Sequence, residues 1–154
     1  MIQIYTDGGC SGNLGPGGWA YVIVRNNEEG RGDSTLLAEK WGAERSTTNN
    51  RMELQAVIAA LEALSLLQPG TEKATLFTDS QYVQKGITEW IHKWKRNSWR
   101  TSDKKPVKNQ DLWQELDALT LRVPVTWAWV KGHAGNKYNE QCDAFTQKAI
   151  ASLK

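Results

Sequence analysis

The chain has 154 residues, of which 40% are hydrophobic and 23% are charged, and its formal net charge is +2. This composition is ordinary for a folded globular protein and excludes a disordered or collagen-like chain, while no apolar run approaches the ~18 residues of a membrane-spanning helix. A chain of this length buries one hydrophobic core, so we expect a single domain over residues 1–154.

The amino-terminal third predicts three strands. Residues 2–6 alternate apolar and polar side chains up to Asp7, and six glycines between positions 8 and 18 then predict a loop and a turn. A second strand is expected over about 19–25 and a third over about 34–41, joined by a polar hairpin at 26–32.

A long helix over about 50–67 has the clearest periodicity, and Pro69-Gly70 ends it. Its apolar stripe contains Val57, Ala60, Leu61, Leu64 and Leu67. The predicted elements that follow are a strand over 74–78, a helix from Ser80, a basic helix and loop, a helix over about 110–121, a strand over 125–130 and a helix over about 137–153. Three strands followed by alternating helices and strands predict an α/β fold with one mixed sheet and helices on its faces.

The near-neutral net charge combines two regions of opposite sign. Residues 82–108, called the basic handle below, contain eight basic and two acidic residues and carry +6, whereas the rest of the chain carries −4. Trp90, Trp94 and Trp99 lie in the same segment. Basic side chains interleaved with aromatic ones favour a surface that binds a polyanion, and the alternative is a solvated helix face with a small core of its own.

Four carboxylates occupy positions that predict one shared site. Asp7 and Asp79 stand at the carboxyl ends of predicted strands, where open α/β sheets bind ligands. Glu53 falls in the apolar stripe of the long helix, and Asp143 borders the apolar arc of the last helix. Inward carboxylates repel one another, which raises their pKa values unless a cation neutralises them, and oxygen ligands favour Mg²⁺ or Mn²⁺.

Each carboxylate taken alone also has a structural interpretation. Glu53 completes a capping-box pattern with Asn50, Asp7 before Gly8 suits a turn, and Asp79 before Ser80 suits a helix cap. Capping does not require convergence on one face, so the joint arrangement favours a metal site.

Six stretches carry a resemblance to a known family. They are residues 5–8 (YTDG), 47–54 (TTNNRMEL), 78–83 (TDSQYV), 104–109 (KKPVKN), 130–135 (VKGHAG) and 139–143 (NEQCD). In this order and spacing the whole chain resembles the type 1 ribonuclease H family of bacteria. The resemblance implies a ribonuclease H-like fold, a five-stranded mixed sheet whose first three strands are antiparallel, flanked by helices and with the basic handle inserted.

The resemblance implies an endonuclease that cuts the RNA strand of RNA–DNA hybrids and leaves 5′-phosphate and 3′-hydroxyl ends. Its implied metal ligands are Asp7, Glu53, Asp79 and Asp143, holding two Mg²⁺ ions for which Mn²⁺ can substitute. His133 matches a mobile histidine that transfers a proton or assists product release, because its ordinary pKa lies near neutrality.

The resemblance also implies the substrate contacts. The positions that read the RNA strand are Cys10 through its backbone, Asn13, Asn49, Asn50 and Gln81. The positions on the DNA side are Tyr82, Trp90 and Trp94 along the channel, Thr48 and Asn109 at a phosphate, and the outward Lys95 and Arg96. Turn or cap chemistry is the alternative for each asparagine, and we expect Trp99 to pack at the base of the handle.

Two other functions fit part of the pattern. A DNA-directed nuclease or recombinase of the same fold would not need the hybrid-reading asparagines and Gln81, and a non-catalytic hybrid-binding module would not need four acids and His133. Cys10 and Cys142 are too few for a disulfide framework, and the first residues lack signal-peptide features, so we expect a cytoplasmic protein. One active site needs nothing from a second chain, so we expect a monomer.

Overall fold

The computed structural model describes residues 1–12, 14–26, 34–67, 72–130 and 136–153. Its strands are β1 (Ile2–Cys10), β2 (Gly15–Asn26), β3 (Ser34–Thr47), β4 (Ala74–Thr78) and β5 (Thr126–Trp129). Its helices are α1 (Asn49–Leu67), α2 (Gln81–Lys85), α3 (Ile91–Arg96), α4 (Gln110–Arg122) and α5 (Lys137–Ala151), with a π-helical segment (Gly86–Trp90) between α2 and α3. Most of the predicted hairpin at 26–32, and the Pro69-Gly70 stop, lie outside the described residues.

The five strands form one mixed sheet in the order β3-β2-β1-β4-β5. Strands β1, β2 and β3 are antiparallel neighbours, while β1 with β4 and β4 with β5 are parallel. This confirms the predicted sheet. Because β-strand side chains alternate between faces, Ile4 and Ile23 face the core beneath α1, whereas Tyr5 and Val22 join the second cluster with Cys142 of α5.

The first strands are longer than predicted, because the glycines lie inside them. Gly8, Gly9 and Cys10 continue β1 and pair with Trp19, Gly18 and Gly17, so the predicted loop from Gly8 is wrong. A Cβ on Gly8 would lie 2.4 Å from the carbonyl carbon of Met52 in α1. Glycine is therefore required at that position by the close approach of a helix backbone rather than by a turn.

The stripe of α1 is confirmed except at its end. Val57, Ala60, Leu61 and Leu64 are buried, whereas Leu67 is 40% exposed. Ser65 and Leu66 are exposed as well, so the last turn of α1 extends beyond the core.

The basic handle begins with α2, the π-helical segment and α3, which continue without a break from residue 81 to residue 96. A Cβ on Gly86 would lie 1.9 Å from the indole ring of Trp113 in α4, so this glycine lets α4 pack closely against the handle. Trp99 contacts Trp94 with ring centroids 6.3 Å apart, which agrees with the expected packing role. Lys93, Lys95 and Arg96 are exposed, as predicted. None of the helices in the described ranges has the length and apolar character needed to cross a bilayer.

Candidate active site

Three of the four predicted carboxylates meet at one point. Asp7, Glu53 and Asp79 each offer a carboxylate oxygen, and these oxygens all lie within 4.8 Å of one another. Asp7 belongs to β1, the central strand, and Asp79 follows β4, its parallel neighbour, so the topology of the sheet places these two side chains side by side. Asp7 pairs with Ala20 in the ladder, so its interpretation as a turn residue is wrong.

Glu53 reaches this point from α1. Its Oε1 accepts a hydrogen bond from the backbone N–H of Gly8 at 2.9 Å, while its Oε2 is buried and has no hydrogen-bond partner in the described part of the chain. Burial raises the pKa of Glu53 well above its ordinary value; the charges of Asp7 and Asp79 add to that shift, and the Gly8 hydrogen bond opposes it. A buried carboxylate oxygen without a partner is suited to bind a cation.

The helix-capping interpretations are wrong for both acids. The cap of α1 is Thr48, whose Oγ1 accepts a hydrogen bond from the N–H of Arg51 at 3.2 Å, so neither Asn50 nor Glu53 is needed there. The cap of α2 is Ser80, whose Oγ accepts from the N–H of Val83 at 3.2 Å. The Asp79 carbonyl oxygen accepts from Nε1 of Trp129 at 3.1 Å, which ties the end of β4 to β5.

Asp143 does not join the group within 4.8 Å, so the predicted convergence of four acids is found for three. It is half-buried on α5, next to Cys142. The Cys142 thiol lies 3.4 Å from the Tyr5 carbonyl oxygen, and burial raises its pKa, with the charge of Asp7 as the next cause. Asp143 therefore lies on a helix that packs close to Asp7. Residues 131–135, which include His133, lie outside the described residues, as does Asn13.

Comparisons with known proteins identify this arrangement. The family model described as RNase H matches residues 1–151. The chain belongs to the ribonuclease H family. It is 55% identical over 150 residues to a ribonuclease H of Phenylobacterium zucineum, covering 97% of this chain and 90% of that one. It is 52% identical over 162 residues to a ribonuclease H of Treponema denticola, covering 99% of this chain and 98% of that one. It is therefore a ribonuclease H enzyme.

Solved structures share the fold. LC9-RNase H1, described as a type 1 RNase H with the type 2 active-site motif, is 32% identical with a TM-score of 0.84, over 99% of this chain and 73% of that one. LC11-RNase H1, solved in complex with RNA/DNA hybrid, is 24% identical with a TM-score of 0.72, over 99% of this chain and 98% of that one.

The side chains expected to read the RNA strand stand at the starts of two helices of this ribonuclease H. Asn49 and Asn50 are exposed in the first turn of α1, one turn before Glu53, and Gln81 is exposed as the first residue of α2, two residues after Asp79. Cys10 ends β1, and its Sγ lies 3.3 Å from the carbonyl oxygen of Thr47. These four residues therefore lie close in sequence to the acids: Cys10 is on β1 with Asp7, the two asparagines are on α1 with Glu53, and Gln81 follows Asp79.

The residues expected on the DNA side form a second group. Tyr82 contacts Trp90 with ring centroids 5.7 Å apart, and Trp90 contacts Trp94 at 5.9 Å. All three are half-buried. Lys95 forms an ion pair with Asp117 at 3.3 Å, whereas Arg96 is exposed and makes no ion pair with a described residue.

Arg51 is a residue of this second group that the sequence reasoning missed. Its guanidinium donates to both carboxylate oxygens of Asp111 at 3.1 and 2.9 Å and to Oδ1 of Asn109 at 3.2 Å. It lowers the pKa of Asp111 by hydrogen bonding. Arg51 belongs to the motif at 47–54, but no local pattern connects it with partners about sixty residues later in the chain.

Proposed function

We propose that this ribonuclease H hydrolyses the RNA strand of RNA–DNA hybrids at Asp7, Glu53, Asp79 and Asp143, and leaves 5′-phosphate and 3′-hydroxyl ends. The observation that carries the proposal is the closure of three carboxylates to within 4.8 Å, with a buried, unpartnered Oε2 on Glu53. Membership of the family supports the reaction, and the hybrid-bound structure of LC11-RNase H1, a protein of the same fold, is consistent with the substrate.

The donor set fits a hard divalent cation, because every nearby ligand atom is a carboxylate oxygen and one of them is buried without a proton donor. We propose that Asp7, Glu53, Asp79 and Asp143 would hold two Mg²⁺ ions, for which Mn²⁺ can substitute. When bound, the ions neutralise charge on the attacking and the leaving oxygen of the phosphodiester.

The chain itself positions these groups. The Gly8 N–H donates a hydrogen bond to Oε1 of Glu53, whereas the buried Oε2 has no hydrogen-bond partner among the described residues. Asp7 on β1 and Asp79, which directly follows β4, are carried by adjacent parallel strands of the sheet. We propose that His133 transfers a proton near this centre or assists product release.

The remaining proposed roles concern the substrate. We propose that the RNA strand is read by the Cys10 backbone, Asn13, Asn49, Asn50 and Gln81. We propose that the DNA strand is bound by Thr48, Tyr82, Trp90, Trp94, Lys95, Arg96 and Asn109. The exposed amides at the helix starts and the exposed cations of the handle support this division. We further propose that the chain is a single domain that acts as a monomer in the cytoplasm.

The test is cleavage of a labelled RNA–DNA hybrid, duplex DNA and duplex RNA, with Mg²⁺ or with a chelator. We expect only the hybrid to be cut, only with the metal, and we expect Asp7→Asn to lower the rate at least about 100-fold, the scale of a lost metal ligand. Asp103→Asn, which changes an exposed carboxylate of the handle, is the matched control. Wild-type rates in Asp7→Asn, or an intact hybrid with Mg²⁺, would show the proposal to be wrong, and cleavage of duplex DNA would favour the DNA-directed alternative.

A further inference from the structure

Asp7 and Asp79 stand at matching positions just beyond the paired part of two strands. In the parallel pair of β1 and β4 the last paired residues are Tyr5 and Phe77, so each acid lies two residues past the end of the pairing. This register agrees with the approach of the two carboxylates to within 4.8 Å. The backbone of Asp79 lies outside the β1–β4 ladder, however, so that ladder does not fix its position.

The outer strand β5 pairs further along β4. Its pairing includes Thr78 with Trp129, one residue beyond the last β1–β4 pair, and the backbone N–H of Val130 donates to the Thr78 carbonyl oxygen at 2.9 Å. At the next residue, the Asp79 carbonyl oxygen accepts from Nε1 of the Trp129 side chain at 3.1 Å. The indole of Trp129 therefore extends the attachment of β4 to β5 by one residue, and that residue is an acid of the site.

The hydrogen bond between Trp129 and Asp79 does not depend on the protonation of the acids. An indole nitrogen only donates and a carbonyl oxygen only accepts, so the two groups have one possible arrangement. The residue after Asp79 is held as well, because the backbone N–H of Ser80 donates to Oγ1 of Thr78 at 3.0 Å. The main chain of Asp79 is thus held at its own carbonyl and at both neighbouring residues.

Burial does not explain the position of the Trp129 side chain. Trp129 is 39% exposed, whereas Trp113 is fully buried. Trp127, two residues earlier on the same strand, packs against the core beneath α1. Because the free energy gained from burial scales with the apolar surface removed from water, Trp129 gains less of it than a core tryptophan does. The specific contact that Trp129 makes instead is the one with Asp79.

We infer that Trp129 is a positioning residue that holds the main chain of Asp79 and thereby sets the affinity of the acidic centre for a divalent cation. The inference rests on the proposed function, in which Asp79 is a metal ligand. A ligand that is already held in place loses less conformational freedom when it binds a cation. Removal of a hydrogen bond that orients a metal ligand typically weakens metal binding about 10–100-fold. We expect the lower end of that range, because Trp129 binds the backbone of Asp79 and is partly exposed.

Calorimetric titration of Mg²⁺ into the substrate-free protein at pH 8 tests the inference. Trp129→Phe keeps an aromatic ring but removes the N–H, and we expect it to bind Mg²⁺ about tenfold more weakly than the wild type. Trp129→His keeps a donor, because Nε2 of a neutral imidazole occupies the ring position of the indole Nε1, so we expect it to bind Mg²⁺ more tightly than Trp129→Phe. Trp127→Phe is the matched control on the same strand and should bind Mg²⁺ like the wild type.

Two further measurements support the titration. In hybrid cleavage, we expect Trp129→Phe to need about tenfold more Mg²⁺ for half its maximal rate and to keep the wild-type KM for the hybrid at saturating Mg²⁺. In NMR spectra of the wild type, we expect the indole N–H resonance of Trp129 to shift as Mg²⁺ is added, while that of Trp127 stays in place. The spectra test the inference even if Trp129→Phe fails to fold.

The possible failures are distinguishable. If the wild type neither binds Mg²⁺ nor cuts the hybrid, the proposed function is wrong and the inference falls with it. If the wild type does both, but Trp129→Phe binds Mg²⁺ as tightly as Trp127→Phe, Trp129 has only a packing role and the inference alone is overturned. The same conclusion follows if Trp129→His binds Mg²⁺ no better than Trp129→Phe, or if the Trp129 resonance does not respond to Mg²⁺.

Discussion

Gly8 and Glu53 meet where β1 passes close to the start of α1. The Gly8 N–H donates to Oε1 of Glu53 at 2.9 Å, and the space of a Gly8 side chain is filled by the backbone of Met52. The absence of a side chain at position 8 therefore sets the distance between the strand that carries Asp7 and the helix that carries Glu53.

We expect Gly8→Ala to lower the free energy of unfolding by about 1–3 kcal/mol, the usual cost of overpacking, because the new Cβ collides with backbone atoms that cannot rotate away. Gly9→Ala is the control, since its Cβ would meet its nearest neighbour at 3.7 Å, an ordinary contact. Urea unfolding of both variants provides the measurement. Equal stability of the two would contradict the role assigned to the close approach.

Repulsion within the acidic centre destabilises the metal-free protein. The pKa of Glu53 is raised above its unfolded value of about 4.3, so deprotonation costs stability as the pH rises through the folded pKa. Burial is the largest cause of this shift, and Asp7→Asn removes one of the two neighbouring charges that add to it. With a chelator present, we expect this variant to exceed the wild type in unfolding free energy by about 1 kcal/mol at pH 8, the scale of the repulsion between two unit charges about 4 Å apart in a water-like medium, and by less at pH 4.

Addition of Mg²⁺ should make the wild type more stable than Asp7→Asn. The cation stabilises whichever folded protein binds it, so we expect thermal unfolding of the wild type to shift upward and that of Asp7→Asn to shift little. Unfolding temperatures that respond equally to Mg²⁺ in both proteins would argue that Asp7 is not a ligand.

At the scale of elements, the segment between α3 and α4 is the part of the described chain where the backbone is most strained. The four non-glycine residues with positive φ in the described ranges, Ser98, Trp99, Lys104 and Asn109, all lie between α3 and α4. Trp99 is fixed by its contact with Trp94 and Asn109 by its hydrogen bonds to Arg51 and Tyr82, whereas Lys104 is exposed. At Lys104, therefore, no packing contact of the side chain compensates for the strained backbone.

We expect Lys104→Gly to raise the free energy of unfolding by about 0.5–1 kcal/mol, because glycine adopts a left-handed conformation without the steric cost that an L side chain carries. Lys105→Gly, one residue later and without a positive φ, is the control and should lose stability through the added freedom of the unfolded chain. Thermal unfolding measures both. A loss in Lys104→Gly equal to that in Lys105→Gly would contradict the argument.

At the scale of the whole molecule, the +6 of the handle and the −4 of the remainder belong to different segments of the chain. Lys93 and Arg96 are exposed on α3, while three of the acids converge beside the two inner strands β1 and β4. Lys95 forms an ion pair with Asp117, so part of its charge is neutralised. A count of charges along the sequence does not show this. The near-neutral total thus hides a cationic surface that is available to phosphates.

Hybrid binding should weaken steeply with salt, and the two cations should contribute unequally. We expect Arg96→Gln to lower the affinity and to reduce the slope of log K against log salt by about 0.7–0.9, the value for one phosphate contact. Lys95→Gln should change the slope less, because Asp117 already neutralises part of its charge. Arg122→Gln, at the end of α4 beside the first residues of β4 and β5, is the control. If the slope of log K against log salt is unchanged in Arg96→Gln, the handle does not belong to the binding surface.

The sequence by itself determined the order of strands and helices, the buried stripe of α1 through Leu64, and the candidate acids Asp7, Glu53 and Asp79. These features follow from hydrophobic periodicity, composition and motifs. All three are properties of neighbouring residues in the sequence and do not depend on contacts between distant segments. The motifs also carried the family resemblance, because their order and spacing are properties of the chain.

The tertiary structure alone decided what depends on distant partners. Gly8 belongs to β1 because it pairs with Trp19, and glycine is required there because the backbone of Met52 occupies the side-chain space. Glu53 is a site residue rather than a cap because Thr48 already caps α1. Asp143 lies outside the closest group of acids, and Arg51 binds Asp111 and Asn109 about sixty residues later. Each of these outcomes is set by packing between segments far apart in the chain, which local propensity does not encode.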